Sequence, residues 1–477
     1  MPLRLPALVA LVLLAGCCGF FLLGSGERGS YDFQAFYCAG AAVRMHADPY
    51  RAQPLGACEH RQTGGTYAAL APGLVLPAPQ PGYDIAGFAA LSLLPFGMAK
   101  AVWGALLAAA IAIALYAVFR LTRESLYVIL GAFAASLILP SFAFGELFAF
   151  FGAAACAAML LADQERWTLA GIAAAACLVE PHLGLPLCAA LALWKRETRL
   201  PMALSVCVLA GIAITVLGPL VNAEYFTAVL PLHALTEISS DAQLSLSAVL
   251  HAMHVPDLAA VRIGAASYVL VAGLGVYFGK VLADRLRSGA FLAATPAAFA
   301  TLGGTFMHVT EIFAAVPLAL LLIVRAPRQR PVLRTALVLL CIPWIAGVER
   351  GNALAFATLS ALVAASLLWQ FGGKRIAPAF AVAALTFAVL FWAPEWYARS
   401  AAASPAASAA TTIDPIYAQA SWQAWNRAAL SSGSPAAWLL RLPTWIGLAL
   451  LAASVGAVSR REAALSPAAA RSTPSAR

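Results

Sequence analysis

The sequence predicts an all-α, polytopic membrane fold of about 12 to 14 transmembrane helices, and three observations predict it. Of 477 residues, 62% are hydrophobic and 11% are charged, with mean hydropathy +0.84; soluble domains carry about 45–50% apolar and about 25% charged residues. Apolar runs recur along the chain, several of them long enough to cross a hydrocarbon core about 30 Å thick, which takes roughly 20 helical residues. No long polar interval separates them. Residues 1–461 therefore read as one integral-membrane domain, and the Ala/Ser/Pro-rich 462–477 as a disordered cytoplasmic tail. The composition excludes a disordered chain, a disulfide-dense secreted domain and a nucleic-acid binder, because the net charge of +9 is spread through short loops.

Taken in order, the spans fall at 6–24, 97–119, 126–142, 146–162, 167–180, 182–195, 200–221, 261–282, 289–305, 309–325, 332–348, 352–370, 377–393 and 437–457. The pair flanking Glu180-Pro181-His182 is short, which allows a broken or re-entrant helix there. The first span contains Leu14-Ala15-Gly16-Cys17, similar to a lipoprotein cleavage box. A signal peptide turns polar soon after its cleavage site, whereas Cys18-Gly19-Phe20-Phe21-Leu22-Leu23 continues the apolar run, so an uncleaved helix is expected.

Lys and Arg set the orientation. With a cytoplasmic N-terminus, 20 of the 30 basic residues fall in inner loops, among them Arg120, Arg123, Arg166, Lys195, Arg196, Arg199, Lys280, Arg285, Arg325 and Arg460. Both termini are then inside. Three long segments, 25–83, 222–260 and 394–436, lie outside, and a chain that places its spare length on one face is expected to work there. The location implied is the plasma membrane of the cell, with an extracytoplasmic site.

Seven of the nine cysteines lie in spans and read as small hydrophobes. Cys38 and Cys58 share the first outer loop, where an oxidising compartment would permit a bridge worth about 3 kcal/mol; bridged and free forms both remain open.

On this topology Asp32, Glu146, Glu180, His182, His308 and Glu311 all fall at or just beyond outer helix ends. Ionisable groups at such depth are costly, so they line a cavity or pair between helices. Asp32 opens a segment in which Phe33, Phe36, Tyr37, Gly40 and Val43 recur at helical spacing, an amphipathic helix on the outer surface. Its carboxylate either caps that helix or serves as a general base at a cavity rim.

These residues also resemble a family. Asp32-Phe33, Phe36-Tyr37, Ala39-Gly40 and Asp48-Pro49-Tyr50 look like the first outer loop of glycosyltransferase family 87, of the GT-C superfamily of integral-membrane glycosyltransferases. Pro79-Gln80-Pro81-Gly82-Tyr83 and Leu94-Pro95-Phe96, with Ala99 and Trp103, are similar to its Pro-rich entry into the next helices. Gly145-Glu146 stands where many members have Gly-Gln, and Glu180-Pro181 where many have Lys-Pro. Gln243-Leu244-Ser245-Leu246 resembles its Gln-Ser-Leu stretch, and His308 with Glu311 its His-containing motif.

The resemblance implies transfer of a hexose, mannose in characterised relatives, from a polyprenyl-phosphate donor to a lipid or glycan acceptor outside the cytoplasm. It implies that Asp32 is the catalytic residue, and that His308 lies near the donor phosphate or the reacting sugar. Glu311, Glu146, Glu180, His182, Tyr37 and Arg44 are read as donor- or acceptor-binding, with Glu146 and Glu180 making the cavity more acidic than is usual. An inverting single displacement is implied.

The residues themselves fit this. There is no Asp-x-Asp pair to hold a metal on a nucleotide diphosphate and no Gly-rich phosphate loop; Gly273, Gly275 and Gly279 sit inside a span as a packing face. His251 and His254 form a His-x-x-His without a third ligand nearby. No cofactor, metal or nucleic-acid partner is expected. The alternatives are a transporter or flippase, for which matched repeats with broken helices are absent, and a scaffold that has lost activity.

Overall fold

The computed structural model describes residues 12–17, 31–63, 74–240, 242–342, 413–429 and 435–460, the side chains of 427–440 excepted. The expected spans at 352–370 and 377–393, most of 6–24 and the tail after Arg461 lie outside the described residues. The described residues are helical, with no strand beyond two isolated bridges, and the chain is an all-α, multi-pass membrane protein.

We number the helices α1 (Tyr31–Arg44), α2 (Ala52–Thr63), α3 (Gly82–Leu91), α4 (Phe96–Thr122), α5 (Leu126–Phe144), α6 (Phe148–Asp163), α7 (Trp167–Val179) and α8 (Pro181–Trp194). They continue as α9 (Arg196–Glu237), α10 (Leu246–Ala252), α11 (Asp257–Leu286), α12 (Phe291–Ala300), α13 (Val309–Arg325), α14 (Pro327–Leu340), α15 (Ala418–Ala429) and α16 (Pro435–Arg460).

Among the described residues five helices are long and apolar enough to span a membrane: α4, α5, α9, α11 and Arg441–Arg460 of α16. The pair α13 and α14, bent by 113°, makes a sixth if counted as one span. Helices α7 and α8 are shorter. At 1.5 Å per residue the 14 residues of α8 cover about 21 Å, less than the hydrocarbon core. They turn back on each other at Glu180-Pro181, and a Cβ on Gly184 would sit 2.4 Å from the carbonyl oxygen of Cys177, so only glycine permits that close turn.

Protein packing and lipid exposure divide the apolar surface. In α5, 67% of the most apolar window is buried inside the protein; in α9, the most hydropathic of the spans, only 6% is. Leu200, Leu204, Val208 and Leu220 stand exposed along α9. An apolar surface of that extent has no place in water, and hydrocarbon is the solvent that suits it. The predicted amphipathic helix is α1, and it is enclosed well beyond one face: Phe33 through Gly40 are all buried. The enclosure follows from Gly40, where a Cβ would lie 2.3 Å from the backbone carbon of Phe88, so α3 packs directly on the α1 backbone. A Cys38–Cys58 disulfide ties α1 to α2.

The two ends of the bundle differ. Helices α6, α11 and α13 carry Asp163, Arg285 and Arg325 at their far ends, where Asp163 lies 3.8 Å from Arg325 and accepts a hydrogen bond from Ser288, while Arg285 donates to the carbonyl of Val458. The opposite end gathers Asp32, Glu146, Glu180 and His308.

Candidate active site

Each acidic or imidazole group reaches this end through a local device. Asp32 sits in the first turn of α1, and its neighbour Phe33 is locked into an aromatic cluster, 6.0 Å from Trp103 and 5.6 Å from Phe96 between ring centroids. Trp103 of α4 also donates its indole N–H to the carbonyl of Gly145 at 2.8 Å. Gly145 ends α5 in the left-handed conformation (φ 77°), which glycine adopts without strain, and Glu146 follows it. One tryptophan thus supports both carboxyl groups, and the side chains of Asp32 and Glu146 are hydrogen-bonded to each other.

His308 arrives on an extended segment pinned by the Gln243-Leu244 stretch. The side-chain oxygen of Gln243 accepts from the Met307 N–H at 2.8 Å, Leu244 N–H donates to the Met307 carbonyl at 2.8 Å, and Val309 N–H donates to Ala242 at 3.1 Å. Fully buried Arg441 anchors the same stretch by donating to the carbonyls of Gln243 (2.7 Å) and Ser240 (3.2 Å). The His308 ring lies 3.3 Å (Nε2 to Oε2) from Glu237, the last residue of α9, whose other carboxylate oxygen accepts from the indole of Trp422. Glu311 reaches back to the His308 N–H at 3.3 Å and lies 3.0 Å from His182 Nε2, while Glu180 Oε2 is 4.0 Å from His182 Nδ1. Glu146 hydrogen-bonds Thr310.

Six of the eight residues read as site members therefore meet at one end of the molecule: Asp32, Glu146, Glu180, His182, His308 and Glu311. Tyr37 and Arg44 take other partners, the carbonyls of Leu94 and Ser92, and so tie α1 to the turn after α3. Glu237, His233, Trp422 and Arg441 are additions. Glu237 and His233 fall in the stretch read as an outer loop, yet α9 continues through it after a bend at Gly218 (φ 74°) and Pro219. Their i, i+4 spacing, one face of a helix, is the signal that reveals them. His251 pairs with Asp257 at 2.7 Å.

The electrostatics separate the two hydrogen-bonded carboxyls. Burial pushes Asp32 up to about 6, with the His308 charge holding it back. Burial, and then the charge of Asp32, raise Glu146 well above the usual carboxyl range. A carboxyl–carboxylate hydrogen bond holds one proton; Glu146 keeps it, and Asp32 is the ionised partner at neutral pH. Burial alone would lower His308, but its hydrogen bond to Glu237 and the Glu237 charge outweigh that and raise it to about 9. A carboxyl group thus lies in the field of an imidazole whose protonated form is favoured.

The described residues thus form an all-helical membrane bundle that holds carboxyl and imidazole groups together at one end. Residues 85–309 match the model of glycosyltransferase family 87, and over that stretch the chain is similar to the membrane glycosyltransferases of that family. The match takes in Glu146, Glu180, His182, Glu237 and His308; Asp32 precedes it and Glu311 follows it. No curated protein and no solved structure matches the chain.

Proposed function

We propose that the chain transfers a hexose, mannose by analogy with the family, from a polyprenyl-phosphate donor to a lipid or glycan acceptor on the extracytoplasmic face of the plasma membrane. The observation that carries this reading is the convergence of Asp32, Glu146 and His308, from three distant parts of the chain, on one pocket.

Asp32, ionised, takes the proton from the acceptor hydroxyl as its oxygen attacks the anomeric carbon. The bond from that carbon to the phosphate oxygen breaks in the same step, with inversion. His308, protonated and held by Glu237, donates to the departing lipid phosphate. Glu146 holds its proton against Asp32 and fixes the carboxylate's direction. A monophosphate leaving group carries less charge than a diphosphate, so a cationic imidazole suits it. Nucleotide sugars are cytoplasmic, whereas a lipid-linked donor reaches an outer pocket through the bilayer. The Cys38–Cys58 bridge beside α1 supports an oxidising, outer location for this end.

The test is incubation of membranes containing the protein with radiolabelled polyprenyl-phosphate sugars or with nucleotide sugars, followed by identification of the labelled product. The reading expects label from the lipid-linked donor alone. Transfer from a nucleotide sugar in membranes free of polyprenyl phosphate would overturn it.

A further inference from the structure

Three groups at the edge of the pocket have no part in the displacement. Glu180, His182 and Glu311 each bring one ligating atom to within 4.8 Å of the other two. Glu311 is 4% exposed, and the side chains of Glu180 and His182 are 16% and 29% exposed. His182 Nε2 and Glu311 Oε2 are 3.0 Å apart. A divalent ion with bonds of about 2.1 Å to nitrogen and oxygen spans a right-angle edge of roughly 3 Å, so that separation suits two adjacent positions of one coordination sphere. The backbone holds the imidazole from behind, because Tyr268 donates its hydroxyl to the His182 carbonyl at 2.6 Å.

We propose that Glu180, His182 and Glu311 bind a divalent cation. Two carboxylates and one imidazole form a donor set for a hard-to-borderline ion such as Mn²⁺ or Zn²⁺. The remaining coordination positions fall on the partly exposed side of the cluster, at Glu180 and His182. The charge inventory gives such an ion a purpose. The pocket's ionisable groups include five carboxyls (Asp32, Glu146, Glu180, Glu237, Glu311) against three imidazoles (His182, His233, His308), a poor reception for a phosphate. A divalent ion restores positive charge beside His308 and offers a ligand position to a phosphate oxygen. That role rests on the proposed donor; the binding site itself does not.

The experiment uses the full chain in lipid nanodiscs, stripped with chelator and titrated calorimetrically with MnCl₂ and with ZnCl₂ in the absence of any sugar donor. One equivalent of one of these ions should bind. Glu180→Gln and Glu311→Gln, which keep shape and hydrogen-bond acceptance, should each weaken binding by about tenfold or more, with unchanged elution and thermal midpoint for the metal-free protein. His251→Ala, at the His-x-x-His, should leave binding intact. The proposal is overturned if the wild type binds neither ion, or if both Gln variants bind as tightly as it does. Binding by a protein that fails to use polyprenyl-phosphate sugars refutes the donor, not the site; full transfer by a protein that binds no cation refutes the site, not the donor.

Discussion

The two ends of the bundle solve the same problem, charge at the margin of a bilayer, in opposite ways. At the end bearing Asp163, the arginines satisfy themselves on backbone carbonyls: Arg285 on Val458, Arg330 on Ile323 and Arg199 on Ala192. Asp163 pairs with a single arginine that is 36% exposed. Such contacts fasten helix ends and set orientation. At the end bearing Asp32, carboxyl groups are packed beside imidazoles and beside one another, with Glu237 and Glu311 almost wholly buried. Like charges held this close cost stability unless protons or cations are shared among them.

The difference predicts where mutation hurts. Replacing Asp32 by Asn should lower the transfer rate about 10²–10⁴-fold, the range for a general base, measured with labelled lipid-linked donor and with membrane insertion confirmed. A variant within tenfold of wild type would remove Asp32 from the chemistry. Next in size is the pH response. In the proposed mechanism Asp32 acts ionised, so activity should fall about tenfold per pH unit as pH drops below about 6, and His308 acts protonated, so activity should fall again above about 9. A rate flat from pH 5 to pH 10 would contradict both roles. Trp103→Phe keeps the ring in the aromatic cluster but leaves the Gly145 carbonyl without its donor, at about 1–3 kcal/mol of stability, read as a lowered thermal midpoint. Asp163→Asn, at the opposite end, should change the transfer rate by less than about twofold, as surface pairs do. A loss there comparable to that at Asp32 would erase the distinction between the ends.

Much of this was legible in the chain. Apolar run length gave the membrane fold, and the six titratable groups expected on one side of the helices do gather at one end of the molecule, because sidedness of helix ends is a one-dimensional property. The hairpin at Glu180-Pro181-His182 showed as two runs too short to span. Partners that depend on three-dimensional bends were hidden: Glu237 joins His308 only because α9 turns at Gly218-Pro219 and keeps going, and Arg441 reaches Gln243 only because α16 packs beside that stretch. Tyr37 and Arg44 share the helix of Asp32, but a helix turns 100° per residue, and their side chains end on the carbonyls after α3.

Asp32 and His308 are claimed to act together on one reacting centre, and a double-mutant cycle measures that directly. Transfer rates are compared for the wild type, Asp32→Asn, His308→Gln and the double variant in the same reconstituted vesicles. If both groups serve one transition state, their losses are strongly non-additive, and the double variant is about as slow as the worse single one. Two losses that simply multiply would mean that the carboxylate and the imidazole act independently, contrary to this account.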